Sequence, residues 1–416
     1  VSFQRRSDSH PVLILFALWL MVFSSSSQVI IIAPILPFIG ETLHIPSALQ
    51  GTLILAYAAT LSVFALIVGP ISDKIGRRQV MLLGSSFMSI ALLLHGMADS
   101  FLVLLALRAA AGAAGGLLSG AAVAYVGDYF PYERRGWANG WVMSGMAFGQ
   151  VVGVSIGTYL ADVLGFRWPF LMFGISMGLA AILIWAVVPQ PSVRLDEERL
   201  SIRGALSRYF GLLQRPEIAT ITLVYFLMFF SLGLYVTYLP TWLEQALHIT
   251  GAQTAVLFGV GGISAVLVGP LAGRMSDRTG RKPLIVASCT GLGLVMLLTT
   301  YLIGSVMIAY VLFAVAMAMV SMRVSPFHSL ISSLVDGDRR GVLMSLSVSM
   351  GQIGFGIGGG LAGLVYAHYG FYSITLGGAA TIMVMAYIVH QHVIEPEFDT
   401  RLRVEGLEVE GLKVEG

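Results

Sequence analysis

Two arginines lie inside long stretches of the sequence that carry no other charge. Arg108 is flanked by Leu, Ala and Gly, and Arg323 follows 40 residues without an acidic or basic side chain. An arginine stays protonated, so in apolar surroundings it needs an anion or several carbonyl oxygens as partners. For Arg323 we expect an anionic ligand or a coupling contact, or else a structural arginine satisfied by backbone near Pro326. For Arg108 we expect a role in proton coupling or a structural role.

A histidine adds a group that titrates near neutral pH. His328 stands five residues after Arg323, and an imidazole changes charge under physiological conditions. It is a candidate for proton coupling, with a packing histidine as the alternative. All 22 acidic residues fall at or beyond the ends of the apolar stretches, and Asp128 is among the nearest to them.

The composition identifies the environment of these residues. Hydrophobic residues make up 56% of the 416-residue chain and charged residues 11%, whereas about 25% charged residues is typical of soluble domains. Helices satisfy their own backbone in lipid, and each crossing needs roughly 20 apolar residues. The sequence therefore predicts an all-α polytopic membrane protein. Its twelve predicted spans are 11–39, 47–71, 79–98, 101–130, 137–161, 169–188, 218–241, 252–272, 284–302, 305–335, 342–366 and 372–393.

The basic residues predict the topology. With the N-terminus in the cytoplasm, 21 of the 24 Lys and Arg residues fall on the cytoplasmic side, as the positive-inside rule requires. We therefore expect an integral protein of the plasma (inner) membrane with both termini in the cytoplasm. The first span is expected to be retained rather than cleaved as a signal peptide. A net charge of +2 without a basic stripe excludes a protein that binds nucleic acid by electrostatics.

The two halves of the chain repeat one another. Leu36-Pro37 matches Leu239-Pro240 at an offset of 203, and Arg135-Gly136 matches Arg340-Gly341 at an offset of 205. We predict a six-helix bundle over residues 1–188, a cytoplasmic linker with an amphipathic helix over 189–217, a second bundle over 218–393 and a cytoplasmic tail over 394–416. Parallel repeats of this kind imply a pseudo-two-fold axis along the membrane normal and a central cavity.

One motif occurs in both halves at the repeat offset. Gly69 to Arg78 and Gly273 to Lys282 share the spacing G-x-x-x-D-[RK]-x-G-R-[RK]. The first Gly is expected to let two helices approach closely, and the second to turn the chain. The Asp can cap a helix or pair with a charge of a neighbouring loop.

This pattern, present twice among twelve spans, resembles the major facilitator superfamily over about residues 11–393. The resemblance implies alternating access by rocking of two bundles, with the motif loops as a conformational latch. The residues that it assigns to gating are Gly69, Asp73, Gly76, Arg77, Arg78, Asp277, Gly280 and Arg281.

Within the superfamily the first half is most similar to the twelve-span drug:proton antiporters. Arg108-x-x-x-Gly112-x-x-x-Gly116 is similar to a motif whose arginine is implicated in proton coupling, and Asp128 is a further coupling candidate. Span five carries Gly145-x-x-x-Gly149 and Gly153 but lacks the proline and the last glycine of the antiporter motif.

In this architecture spans one, four, seven and ten line the cavity. The candidate substrate-binding residues are Gln28, Arg108, Tyr225, Phe229, Tyr235 and Arg323. A specialist exporter of organic cations would be expected to keep a carboxylate there, so the pattern favours a neutral, amphipathic or anionic solute.

The sequence thus predicts a monomeric secondary transporter that expels small amphipathic or drug-like molecules, with protons as the coupling ion and no metal or cofactor. One alternative is an importer or exchanger of organic anions or sugars, and another is a membrane sensor built on the same fold. No Ser/His/Asp arrangement, metal-type cluster or P-loop supports an enzyme or an ATP-driven pump.

Overall fold

The computed structural model describes residues 11–191, 202–333 and 337–393, and within these ranges it holds helices and no strand. The first half comprises α1 (Pro11–Ile30), α2 (Ile32–Thr42), α3 (Ser47–Gln50), α4 (Thr52–Ile75), α5 (Arg77–His95), α6 (Phe101–Leu118), α7 (Ala121–Tyr129), α8 (Tyr132–Phe148), a π-helical turn (Gly149–Gly153), α9 (Val154–Leu164) and α10 (Arg167–Val187). The second half comprises α12 (Pro216–Leu247), α13 (Gly251–Thr279), α14 (Arg281–Leu302), α15 (Val306–Ser333) and α16 (Gly337–His392), and α11 (Ile202–Leu213) precedes it.

The described ranges contain eleven helices that are long and apolar enough to cross a membrane. The last of them, Val342–His392, has 51 residues, which at about 1.5 Å per residue is more than twice the thickness of a bilayer core. Its backbone leaves the helical conformation at Gly370, where φ is 74°. This break separates two passes where the sequence predicts spans eleven and twelve, and the predicted all-α membrane fold is confirmed.

Breaks inside two predicted spans have local causes. The first span divides at Ile31, because Pro34 has no N–H to donate to the carbonyl of Ile30. The fourth span, predicted as one helix over 101–130, divides at Ser119 and Gly120, where Gly120 adopts φ 71°. The antiporter-like fifth span contains the π-helical turn, a feature that often marks a functional position in a helix.

The internal repeat extends to the backbone conformation. The two described non-glycine residues with positive φ, His44 and His248, are separated by the repeat offset of 204. Gly76 and Gly280 also have positive φ, at 96° and 88°. These glycines are the second Gly of each motif copy, so the predicted chain reversal occurs in both halves.

Each half packs as a bundle of its own. In the first half, α6 lies against α4 and α10 lies against α5 and α1; in the second, α12 lies against α16 and α13 lies against α15. These are corresponding helices of the repeat. Their interfaces bury the apolar core and place the few polar side chains that are described next.

Candidate functional site

A polar cluster is buried in the core of the first bundle. Gln28 of α1, Tyr57 of α4 and Arg108 of α6 are each at most 2% exposed. Arg108 Nη1 donates to Gln28 Oε1 at 3.2 Å, and Gln28 Nε2 donates to the Tyr57 hydroxyl at 2.8 Å. The Arg108 Cζ atom lies 4.5 Å from the centroid of the Tyr57 ring. The structure therefore joins two of the predicted site residues through a tyrosine that the sequence did not single out.

The described partners of Arg108 are electrically neutral. An amide oxygen and an aromatic face attract a guanidinium, but neither carries a compensating negative charge. Arg108 Nε has no hydrogen-bond partner among the described residues. The cluster is therefore a positive charge held by dipoles, and its energy responds strongly to any other charge that comes near.

A buried histidine near this cluster was not singled out from the sequence. His95 of α5 is fully buried, its Nδ1 lies 2.6 Å from the carbonyl oxygen of Ala91, and its ring lies 4.6 Å from that of Phe170. Its Nε2 has no partner among the described residues, and it interacts electrostatically with Arg108. The short turn between α5 and α6 brings His95 and Arg108 toward the same end of the bundle. Their spacing in the sequence could have indicated that they lie near each other.

Asp128 lies far from this cluster. It is 20 positions after Arg108, about 30 Å at 1.5 Å per residue, and the helix is interrupted between them. Its Oδ2 accepts from Arg77 Nε at 3.0 Å, with both side chains about one quarter exposed. The structure thus pairs Asp128, a predicted coupling residue, with Arg77, a predicted gating residue.

Aromatic side chains form a second cluster, in the second bundle. The Tyr225 hydroxyl lies 3.4 Å from His328 Nε2, and the Tyr225 ring lies 5.2 Å from Phe229 and 5.7 Å from Phe327. Phe229 and His328 keep part of their surface accessible. Predicted residues of spans seven and ten therefore meet in one group that has an apolar surface and a polar edge.

Tyr235 and Arg323 lie inside the second bundle. The Tyr235 hydroxyl is 2.9 Å from Thr299 Oγ1 of α14, and the side chain is 1% exposed. Arg323 is fully buried, and none of its three guanidinium nitrogens has a hydrogen-bond partner in the described part of the chain. In this conformation both side chains are enclosed by their own bundle, and the backbone contact that could satisfy Arg323 is not formed.

The two bundles contact each other closely at one end, which we call the closed end; it carries residues 43–51 and 248–252. The Tyr238 hydroxyl donates to the carbonyl oxygen of Ser47 at 2.5 Å and accepts from the Gly51 N–H at 2.9 Å. Asp162 Oδ2 accepts from the N–H of Ala252, in the first turn of α13, at 3.1 Å. These hydrogen bonds join the halves across the closed end.

The contact between the bundles extends to about the middle of α4. Ser62 Oγ donates to the carbonyl oxygen of Ser349 at 3.0 Å, and Ser349 Oγ donates to that of Ser62 at 3.3 Å. A Cβ atom at Gly356 would lie 2.6 Å from the Cβ atom of Ala58. A glycine at position 356 is therefore required for α4 and α16 to approach each other this closely.

The motif loops lie at the opposite end of the bundles. A Cβ atom at Gly69 would meet no atom within 4 Å, so the close helix approach predicted there is absent in this conformation. The reason is that α4 packs closely against α16 nearer the closed end. Arg78 Nη2 donates to the carbonyl oxygen of Trp185 at 2.7 Å. The side chains of Asp73 and Asp277 lie outside the described ones, whereas the side chain of Arg281 is engaged in an interaction.

Glycines of the fifth span pack against α1. Added Cβ atoms at Gly145, Gly149 and Gly153 would collide with the backbone of Trp19 and Phe23 and with the side chain of Ser27. The absence of side chains at these positions therefore allows the fifth span to lie close to α1.

Comparison with known proteins identifies the family. A model of the Major Facilitator Superfamily matches residues 18–359 and 221–406. The chain belongs to the Major Facilitator Superfamily. It is a transporter embedded in a lipid bilayer, and small molecules are its substrates.

Relatives in this superfamily cover most of the chain. The uncharacterized MFS-type transporter YceJ of Bacillus subtilis (strain 168) is 25% identical over 90% of this chain and 96% of its own. Multidrug resistance protein 2 of the same organism is 23% identical over 82% and 86%. A D-xylose-proton symporter superposes with a TM-score of 0.75 at 17% identity, covering 92% and 98%. The structural likeness supports the superfamily fold.

Proposed function

We propose that this transporter is a monomeric, proton-coupled exporter of small amphipathic or drug-like molecules that works by alternating access. The observation that carries the proposal is the cluster of Gln28, Tyr57 and Arg108, in which a buried guanidinium has only neutral partners. Such a charge can be stabilised by a substrate dipole or anion, and it opposes the arrival of a proton.

The coupling argument is electrostatic. Two unit charges 6 Å apart interact by about 3 kcal/mol at an effective dielectric constant of 20. A proton taken up beside Arg108 therefore destabilises the arrangement in which Gln28 and Tyr57 are the contacts of the guanidinium. His95 is a candidate for taking up this proton, because its side chain is buried in α5 and its Nε2 has no partner among the described residues. Two further candidates for proton coupling are His328, which lies in the aromatic cluster, and Asp128, which pairs with Arg77.

The proposed substrate surface combines both bundles. Phe229, Tyr225 and His328 offer an apolar face with a polar edge, which fits an amphipathic molecule. Gln28 and Arg108 of the first bundle and Tyr235 and Arg323 of the second are enclosed in this conformation. They would join the site after their bundles rearrange. The relative named multidrug resistance protein 2 supports a substrate of this class.

We propose that the protein lies in the plasma (inner) membrane with its closed end facing outward. Both termini then lie in the cytoplasm. The positive-inside rule supports this orientation, since the loops at the closed end carry few Lys and Arg residues. The residues of the motif loops, Asp73 and Asp277 among them, would then act as the latch at the cytoplasmic end.

Transport by the purified protein in proteoliposomes tests the proposal. Cationic, neutral and anionic solutes are compared with and without an imposed pH gradient. We expect amphipathic solutes to move in response to the gradient, and Arg108→Gln to abolish this response. Arg134→Gln removes the same charge from an exposed position and should transport normally. Solute movement that ignores the gradient would exclude proton coupling.

A second candidate is the import or exchange of organic anions. The observation that favours it is that the charges buried deep in the two bundles, Arg108 and Arg323, are both positive. In the same experiment, movement of anionic solutes alone would select this function.

A further inference from the structure

Arg323 is the least satisfied charged group among the described residues. Its side chain is 0% exposed, and Nε, Nη1 and Nη2 all lack a hydrogen-bond partner. Removing a charge from water costs several kcal/mol unless a partner and hydrogen bonds compensate for it. An arginine cannot avoid this cost by losing its proton. A stable protein with this residue therefore needs a group that supplies acceptors and negative charge.

The neighbouring backbone does not supply that group. Pro326 has no N–H and thereby leaves the carbonyl of Met322 without its helical donor. However, a helical side chain leans toward the N-terminus of its helix, whereas this carbonyl points toward the C-terminus. Arg323 consequently extends away from the freed acceptor, in agreement with the absence of a bond between them.

The guanidinium instead lies at the interface of α15 with α14. Met319, one turn before Arg323 on the same face, has its Sδ 2.7 Å from the position that a Cβ of Gly291 would take. Cys289 of α14 is buried, and its Sγ lies 4.0 Å from Met385 Sδ of α16. The interfaces that α14 makes with its neighbours therefore contain sulfur and hydrocarbon groups.

These walls restrict what can bind. Ser288, the residue next to Cys289, already donates its hydroxyl to the carbonyl of Ile285 at 2.8 Å. Apolar walls lower the local dielectric and strengthen attraction between opposite charges. Because the Arg323 side chain is fully enclosed, an anion at its guanidinium must be small and must lose its hydration water, and Nε, Nη1 and Nη2 remain available to bind it.

We propose that Arg323 forms a binding site for a small monovalent anion at the interface of α14 and α15, separate from the Arg108 cluster. The anion is either a free inorganic ion such as chloride or the carboxylate of a small solute. It binds the free guanidinium N–H groups and neutralises the charge in the core of the second bundle. The site does not depend on proton coupling, because it needs no contact with Gln28, Tyr57 or Arg108.

Thermal unfolding of the purified full-length protein tests this site. The midpoint is measured by tryptophan fluorescence in chloride and in gluconate at equal ionic strength. A ligand that binds only the folded state stabilises it in proportion to its saturation. We expect a saturable rise of about 2 °C or more in chloride. Bromide should replace chloride and give a direct binding signal by anomalous X-ray scattering at Arg323.

Variants separate the possible sources of negative charge. Arg323→Met and Arg323→Gln should lose the difference between chloride and gluconate, and Arg323→Met should be at least as stable in gluconate as the unaltered protein. Arg134→Met, at an exposed position, should keep the difference. Cys289→Ala should keep it too. Its loss in that variant would overturn the proposal, because the thiolate would then be the counter-ion.

The choice of anion distinguishes the two sources. A larger rise with acetate than with chloride identifies a carboxylate ligand, and the reverse identifies an inorganic ion. Equal midpoints in chloride, acetate and gluconate for the unaltered protein would refute the site. Since unfolding is measured without a pH gradient, this result is independent of whether the protein couples transport to protons.

Discussion

The hydroxyl of Tyr238 is predicted to control the balance between the two access states. It donates to the carbonyl oxygen of Ser47 and accepts from the N–H of Gly51, so one oxygen satisfies two backbone groups of the opposite bundle. When the closed end opens, water can reach both groups. Tyr238→Phe therefore removes two hydrogen bonds that exist only in the closed state.

The size of the effect follows from these two bonds. Each is worth about 0.5–1.5 kcal/mol net, so Tyr238→Phe should disfavour the closed state by about 1–3 kcal/mol. A change of this size alters the ratio of the two states by roughly 5- to 150-fold. The population open at this end should become directly detectable.

Spin-label distances across the closed end provide the assay. Cys289 is the one cysteine of the chain, so Cys289→Ala gives a background for labels at Glu41 and Ala246, which are exposed on opposite halves. Tyr238→Phe should add a longer label-to-label distance to the distribution measured by double electron–electron resonance.

Tyr366→Phe is the matched control. The Tyr366 hydroxyl donates to Gln245 Oε1 within the second half, and its ring stacks on that of Tyr238 at 5.2 Å. This substitution removes a hydrogen bond without affecting the contact between halves. An unchanged distance distribution in Tyr238→Phe, or the same shift in Tyr366→Phe, would show that the Tyr238 hydroxyl does not stabilise the closed end.

Three further substitutions test other contacts. Gln28→Leu should lower the thermal unfolding midpoint, because a hydrogen bond to a charged group is worth about 1.5–3 kcal/mol, and the loss should shrink in an Arg108→Met background. Gly356→Val should shift the Glu41–Ala246 label distances toward the open state, since even its Cβ collides with α4. Asp128→Asn should change the free energy of unfolding by at most about 1 kcal/mol, because its pair with Arg77 is partly exposed; a larger loss in denaturant unfolding would contradict this.

The distribution of charge and glycine in the sequence was sufficient to predict the helices and their repeat. Charge-free stretches predicted the membrane passes, and paired landmarks predicted the repeat that His44 and His248 show in their backbone. Gly76 and Gly280 turn the chain because their conformation has positive φ, which residues with a Cβ rarely adopt. These features depend on local chemistry and can be read along the chain.

The faces of the helices could not be predicted in the same way. In a membrane, the lipid tails are as apolar as the bundle core, so a hydrophobic pattern does not distinguish outward from inward faces. Gln28 hydrogen-bonds with Arg108 inside the first bundle, and Tyr235 hydrogen-bonds with Thr299 inside the second. Each of these placements depends on the rotation of one helix against another.

Simultaneous recording of solute and proton flux in the same proteoliposomes tests the central claim most directly. An internal pH-sensitive dye reports protons while an amphipathic solute is supplied on one side. We predict that addition of solute drives protons in the opposite direction, and that Arg108→Gln abolishes this proton movement while Arg134→Gln preserves it. Solute flux without proton movement in the unaltered protein, or an undiminished proton signal in Arg108→Gln, would contradict the account.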